Sequence, residues 1–92
     1  MLFVALLKAK AGTVAQRAER RLKWQPPAGI KLVEEYWLQS ASVQAILSFE
    51  TDEVSSIAFM RAYWSDLFDM DVIPALSGEA ALSLLKGTAA KE

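Results

Sequence analysis

The stretch RAYWSDLFDMDVIPAL, residues 61–76, joins an aromatic helix end to a strand that carries carboxylates and closes with a proline. Apolar and acidic residues alternate along the strand, so they point to opposite faces of a sheet. The apolar ones are Phe68, Met70 and Val72, and the acidic ones are Asp69 and Asp71. A proline is tolerated at a sheet edge, and charges there discourage unwanted pairing. Residues 67–76 are therefore predicted to form an edge strand.

Five further elements are predicted before this strand and one after it. An apolar run from Leu2 to Leu7 is typical of a strand covered on both faces. The next helix begins at Thr13, which forms a capping-box spacing with Gln16, and ends at the prolines of QPPAG. The remaining elements are strands over 30–39 and 43–50, a helix from Asp52 to Trp64, and a short last helix that ends at Gly87.

The predicted order is strand, helix, strand, strand, helix, strand, followed by the short helix. Because crossover connections are right-handed, both main helices lie on one side of a four-stranded antiparallel sheet. This is an α+β, ferredoxin-like fold with strand order 4-1-3-2. We expect a single domain over residues 1–87 and a frayed tail over residues 88–92.

The first helix is expected to turn an apolar side to the sheet and a charged side to solvent. The apolar side holds Val14, Ala15, Ala18 and Leu22, and the charged residues Arg17, Glu19, Arg20 and Lys23 fall elsewhere. The two alanines would allow a close approach between this helix and the sheet.

The first strand, central in the predicted sheet, is apolar on both faces. The two main helices cover only one of these faces, and the last helix is short. A wide apolar face left in water is an association site, and a two-fold axis is the commonest way to cover it. We therefore expect a homodimer, a dimeric α/β barrel in which the sheets of two copies face each other.

Composition excludes several chemistries. The chain has no cysteine and no histidine, so thiolate nucleophiles, histidine bases and histidine metal ligands are all excluded. No cofactor and no metal site are predicted, since Asp66 falls outside the strand alternation that Asp69 and Asp71 share. The opening MLFVALLKA is too short to span a bilayer, so no membrane partner and a cytoplasmic location are expected.

The net charge of −1 conceals an uneven distribution. Residues 1–31 are predominantly basic, with Glu19 as their single acid, whereas the rest of the chain is predominantly acidic. A basic segment attracts anions or nucleic acid. However, the strand over 43–50 lacks the basic and aromatic signature of RNA-recognition domains. We expect the two regions to pair in the fold or across a dimer, and we expect no nucleic-acid partner.

Three stretches carry a resemblance to a known family: PPAGIKL at 26–32, ETDE at 50–53 and WSDLFDMDVIPAL at 64–76. Over residues 1–76 the chain resembles the dimeric α/β-barrel superfamily, and within it is similar to an uncharacterised bacterial family of domains of unknown function. The resemblance implies a homodimer but no particular reaction. The superfamily includes cofactor-free monooxygenases, haem-using enzymes, lactone isomerases and ligand-sensing modules. Some members of the uncharacterised family carry a histidine late in strand two, where this chain reads Tyr36-Trp37-Leu38.

Arg61 is the sharpest single candidate for ligand binding. It falls in the helical sector that is expected to face the core. That sector also holds Val54, Ile57, Ala58 and Trp64. A guanidinium is not buried alone. Arg61 is therefore expected to reach solvent, to pair with Asp66 or Asp69, or to orient the carboxylate or carbonyl of a ligand.

Glu34, Tyr36, Trp37 and Trp64 complete the set of candidates. Glu34 shares strand parity with Leu32 and Tyr36, an otherwise mostly apolar row. It is expected to act as an acid or base, to bond to Tyr36 or an arginine of the first helix, or to face solvent. The aromatic residues are expected to line a cavity for a planar apolar compound, or simply to form core and interface.

The sequence thus predicts a homodimeric module that binds a small apolar or carboxylate-bearing molecule between sheet and helices. The ligand-binding candidates are Arg61, Trp64, Tyr36 and Trp37. The alternative is a small cofactor-independent enzyme of the monooxygenase or isomerase type, with Glu34 or Tyr36 as the catalytic group. An enzyme should show a closed cavity of about 300 Å³ or more into which Arg61 or Glu34 is exposed.

Overall fold

The strands and helices follow one another in the predicted order. The computed structural model describes the backbone of residues 1–91 and the side chains of residues 1–87. The strands are β1 (Leu2–Ala9), β2 (Lys31–Trp37), β3 (Ala45–Glu50) and β4 (Phe68–Pro74), and the helices are α1 (Val14–Lys23), α2 (Val54–Trp64) and α3 (Gly78–Lys91).

The four strands form one antiparallel sheet with the order β2-β3-β1-β4. This is the predicted order 4-1-3-2 read from the other edge, so the ferredoxin-like fold is confirmed. β4 is an edge strand, as predicted, and its terminal Pro74 lies opposite Phe3 of β1. The sheet is open, since its two outer strands, β2 and β4, do not pair with each other.

The core lies on one face of the sheet. Ala5 and Leu7 of β1 and Leu47 and Phe49 of β3 point to this face and are buried. They pack with an aromatic and aliphatic cluster from α2, β4 and the turns next to α1 and β4. Its main members are Trp24, Met60, Trp64, Leu67, Phe68 and Met70. We call this the helix face of the sheet, and we call the opposite one the open face.

The open face carries apolar side chains from three neighbouring strands. They are Leu2, Val4 and Leu6 of β1, Ile46 of β3 and Ile73 of β4. The last helix does not cover them, because over the described part of the chain no Cα atom of α3 comes within 8 Å of another helix or strand. Both faces of β1 are therefore apolar, as predicted, but among the described residues the helices cover only the helix face.

The buried side of α2 differs from the predicted one. Ser56, Met60 and Trp64 point into the core, whereas Val54 is 80% exposed and Phe59 is 70% exposed. Arg61 is exposed as well, so its predicted place in the buried sector is wrong. The physical reason is that apolar residues occur on every side of α2, and periodicity alone then does not identify the buried side.

The orientation of α1 also differs from the prediction. Val14 and Leu22 are exposed, and the half-buried residues are Arg17, Ala18, Arg20 and Arg21. Arginine tolerates this position because its apolar stem packs on the core while its charged end reaches polar partners. The predicted capping box is confirmed, since Thr13 accepts from the Gln16 N–H and the Gln16 side chain accepts from the Thr13 N–H.

An irregularity in β2 decides which of its side chains face the helices. Leu32 lies opposite Phe49 and Glu34 opposite Ser48, so Val33 has no partner on β3. Such a bulge shifts the alternation by one residue. Glu35 and Trp37 consequently lie on the helix face, whereas Glu34 and Tyr36 lie on the open face. Leu32, Glu34 and Tyr36 are predicted to share one face of the sheet, but only Leu32 lies on the helix face, whereas Glu34 and Tyr36 lie on the open face.

Two helix ends differ from the prediction. The N-cap of α2 is Glu53 rather than Asp52, which instead pairs with the amino group of Met1. The last helix does not end at Gly87 but continues to Lys91. The frayed tail predicted for 88–92 lies outside the residues whose side chains are described. None of the helices in the described chain has the length and apolar character needed to cross a membrane.

Candidate functional site

A cavity of about 440 Å³ lies between α1 and the helix face of the sheet. It exists because α1 does not rest directly on the strands, and no Cα atom of α1 lies within 8 Å of a strand Cα atom. Residues 38–40 and Gln44, from the connection between β2 and β3, form one end of it. We call this space the α1 cavity.

The inner wall of the α1 cavity is aromatic and aliphatic. Trp64 stands edge-on to Trp24, with ring centroids 5.8 Å apart, and edge-on to Phe68, with centroids 5.6 Å apart. Leu7 and Leu47 form the part contributed by the central strands. These side chains are almost completely buried, so the wall is held rigidly by the core of the domain.

An ion pair joins the two sides of the cavity. The Arg21 guanidinium on α1 donates to both oxygens of Glu35 on β2, with Nε–Oε2 at 2.9 Å and Nη2–Oε1 at 2.7 Å. Trp37 Nε1 donates to Oε2 of the same carboxylate at 2.7 Å. The bonds from Arg21, and then that from Trp37, hold the pKa of Glu35 below its usual range. Glu35 is therefore ionised at neutral pH and is a poor proton acceptor.

Arg17 lines the same cavity but has no acidic partner among the described residues. Its Nη1 donates to the carbonyl oxygens of Ala11, at 3.1 Å, and Gly12, at 2.8 Å. Its Cζ lies 6.0 Å from the centre of the Phe68 ring. Nε and Nη2 of Arg17 make no hydrogen bond within the described structure, so these N–H groups are available to another acceptor.

Trp64 also has an unused donor. Its side chain lines the α1 cavity and the residue is only 3% exposed. Nevertheless, Nε1 has no hydrogen-bond partner, and it is the one buried side-chain nitrogen or oxygen in the described chain for which this holds. A buried N–H group without a partner is uncommon because it has lost its bond to water without replacement.

The position of α1 is fixed by a second ion pair outside the cavity. Arg20 Nη2 donates to Oδ2 of Asp66 at 2.9 Å, and Arg20 Nη1 donates to the carbonyl oxygen of Tyr63 at 3.2 Å. The bond from Arg20 lowers the pKa of Asp66. Basic residues of the first third of the chain therefore pair with acidic residues of the remainder, as the charge distribution predicts.

The structure separates the residues that the sequence singled out. Trp37 and Trp64 both line the α1 cavity, whereas Arg61 is exposed on α2, outside the lining. Tyr36 and Glu34 lie on the open face. The Tyr36 hydroxyl donates to Oε2 of Glu34, and this bond raises the pKa of Tyr36. The bond between Glu34 and Tyr36 is one of the alternatives predicted for Glu34.

Sequence reasoning missed Arg17, Arg21 and Glu35. One signal was available, since Arg17 and Arg21 are four residues apart and so lie on the same side of a helix. The alternation of the sequence does not indicate that Glu35 points inward, because this orientation depends on the bulge at Val33. Among the described residues, no group of three or more acidic, histidine or cysteine side chains is placed to hold a metal ion.

Comparison with models of known protein families gives a match. A family model described as a domain of unknown function, DUF3303, matches residues 1–89, which is nearly the whole chain. No curated protein and no solved structure shows a significant match.

Proposed function

This chain belongs to the DUF3303 family of domains of unknown function, and on that premise we propose that it is a homodimeric module that binds a small molecule in the α1 cavity. The ligand is mainly apolar or carries a carboxylate. The proposed location is the cytoplasm, which agrees with a chain that contains no cysteine.

The observation that carries the proposal is the α1 cavity itself. Its volume of about 440 Å³ lies within the range of small-molecule sites, which are mostly apolar with a few placed polar groups. The aromatic wall of Trp24, Trp64 and Phe68 supplies the apolar surface. Arg17 supplies N–H groups that have no hydrogen-bond acceptor within the described structure.

The homodimer is supported by the open face. Its central rows hold Val4 next to Ile73 and Leu6 next to Ile46, and no helix of the same subunit lies over them in the described structure. A second copy that places its own open face there would remove this apolar surface from water. The α1 cavity lies on the other side of the sheet, so association and ligand binding use separate surfaces.

The alternative, a cofactor-independent enzyme, receives less support. Its acid–base candidates, Glu34 and Tyr36, lie on the open face and not in the cavity. Within the cavity, Glu35 is held ionised by Arg21. A general base has to lie within hydrogen-bond reach of the proton that it removes, and a compound in the α1 cavity would not reach Glu34 or Tyr36 through the sheet.

Isothermal titration calorimetry with two-ring aromatic probes, 2-naphthoate and naphthalene-2-carboxamide, tests the binding function. We expect the wild-type chain to bind at least one probe. Ala18→Phe, which fills the cavity from α1, should abolish binding. Ala15→Phe, an identical change at an exposed position of the same helix, should leave it intact. The absence of heat with both probes, or equal binding by Ala18→Phe, would contradict the proposal.

A further inference from the structure

We infer that the ligand of the α1 cavity is a compact aromatic monocarboxylate, bound at its carboxylate oxygens by the free N–H groups of Arg17. This inference rests on the proposed function and specifies the chemical class of the ligand. It depends on the charge of the lining, on the unsatisfied donors of Arg17 and on the shape of the wall.

The lining carries a net charge of one positive unit. Its ionisable side chains are Arg17, Arg21 and Glu35. Glu35 neutralises Arg21 through two hydrogen bonds, whereas Arg17 has only carbonyl partners. A ligand with one negative charge therefore neutralises the net charge of the lining. A phosphate monoester carries between one and two negative charges at neutral pH, and part of its charge would stay unpaired.

The free N–H groups of Arg17 belong to a guanidinium that lies beside the aromatic wall. The Arg17 guanidinium lies 6.0 Å from the ring of Phe68, and the Trp64 ring lies 5.6 Å from the same ring. Two other polar side chains of the lining are already engaged, since Trp37 donates to Glu35 and Gln44 accepts from the N–H of Ala9. The Phe68 end of the cavity is therefore where a carboxylate is best placed, because it would accept charge-assisted hydrogen bonds from the free N–H groups of the guanidinium.

The wall next to these donors favours a flat ligand. Trp24, Trp64 and Phe68 meet edge to face, so flat ring edges and faces bound this part of the space. Aromatic rings gain from edge-to-face and offset contacts with such a wall. A planar body with a carboxylate at one end therefore fits both the donors and the apolar surface.

The test compares the two naphthalene probes, which have nearly the same shape and differ in charge. We expect 2-naphthoate to bind about tenfold more tightly than naphthalene-2-carboxamide. Arg17→Gln should abolish this preference. Arg61→Gln, which removes the same charge from an exposed position outside the cavity, should keep it.

A second measurement does not depend on the folding of any variant. In the wild-type chain, the Nε–H resonance of Arg17 should move downfield on addition of 2-naphthoate. The Nε–H resonance of Arg21, which is already bonded to Glu35, should move less. Equal affinity for both probes, a preference that survives Arg17→Gln, or an unmoved Arg17 resonance would overturn the inference while leaving binding in the cavity intact. Failure of both probes to bind would overturn the proposed function as well.

Discussion

Arg21 on α1 and Glu35 on β2 form a bidentate ion pair, with Nη2–Oε1 at 2.7 Å and Nε–Oε2 at 2.9 Å. Both groups are half-buried, so solvent screens the pair less than it screens the exposed pairs of the surface. The contact connects a helix that does not otherwise rest on the sheet to the bulged edge strand. It therefore maintains the width of the α1 cavity.

Replacing Glu35 by Gln should lower the free energy of unfolding by about 1 kcal/mol at neutral pH. The pKa of Glu35 is lowered in the folded state, so its stabilising effect is complete above the ordinary carboxyl pKa, about 4.3, and is lost as the pH falls through the lowered value. Urea unfolding from pH 7 to pH 2.5 should show the difference between wild type and variant disappearing. Glu34→Gln, on the open face, is the matched control and should have little effect at any pH. A difference that does not depend on pH would show that packing rather than charge is responsible.

Met60 and Phe59 test which side of α2 is buried. Met60 is completely buried and Phe59 is 70% exposed. Met60→Ala should reduce the free energy of unfolding by about 2–5 kcal/mol because it leaves a cavity, and Phe59→Ala should change it by about 0.5 kcal/mol or less. Chemical denaturation followed by circular dichroism measures both. The reverse order would mean that α2 is rotated about its axis relative to the structure described above.

Gly29 adopts a φ of +90°, and a Cβ added there would lie 2.8 Å from Oε2 of Glu53 and 2.9 Å from Oγ of Ser56. Gly29→Ala should therefore destabilise the domain by about 1–3 kcal/mol, through backbone strain and displacement of these side chains. Gly87→Ala is the control, since the added Cβ has no neighbour within 4 Å and alanine favours the helix. Thermal unfolding should show a lower Tm for the first variant and an unchanged or higher Tm for the second.

Ile73 lies on the open face beside Val4 and is 42% exposed in the single subunit. Ile73→Asp should weaken self-association by at least about tenfold, because it places a charge in an apolar contact on both sides of the two-fold axis. Val54→Asp, at an 80% exposed position on α2, should not alter it. Sedimentation velocity gives the mass of each species. A wild-type chain that sediments as a monomer would contradict the proposed homodimer.

The elements and their order were predictable because each depends on local chemistry. The capping box at Thr13, the prolines of residues 26–27 and the alternation from Phe68 to Val72 all act within a few residues of chain. The strand order followed from the handedness of the crossovers, which does not depend on details of the sequence.

The site was not predictable to the same degree because it depends on long-range packing. The inward orientation of Arg17 and Arg21 requires the aromatic cluster from three other elements, and the sequence of α1 by itself favours Val14 and Leu22 as the inner side. Glu35 reaches the cavity only because Val33 is unpaired on β3. The sequence favours a buried Arg61 because apolar residues surround it on the helical wheel, yet the neighbouring Met60 is the residue that enters the core.

The unpaired Val33 has a consequence for how this domain can diverge. Deletion of Val33 would leave a regular ladder in which Glu34 and Tyr36 still lie on the open face and Glu35 and Trp37 on the helix face. If Val33 were instead to pair with β3, every later residue would move one place along that strand, so that Glu34 and Tyr36 would turn inward and Glu35 and Trp37 outward. A change of pairing at one residue would thus alter the lining of the α1 cavity and the open face in the same step, whereas the loss of that residue would spare both.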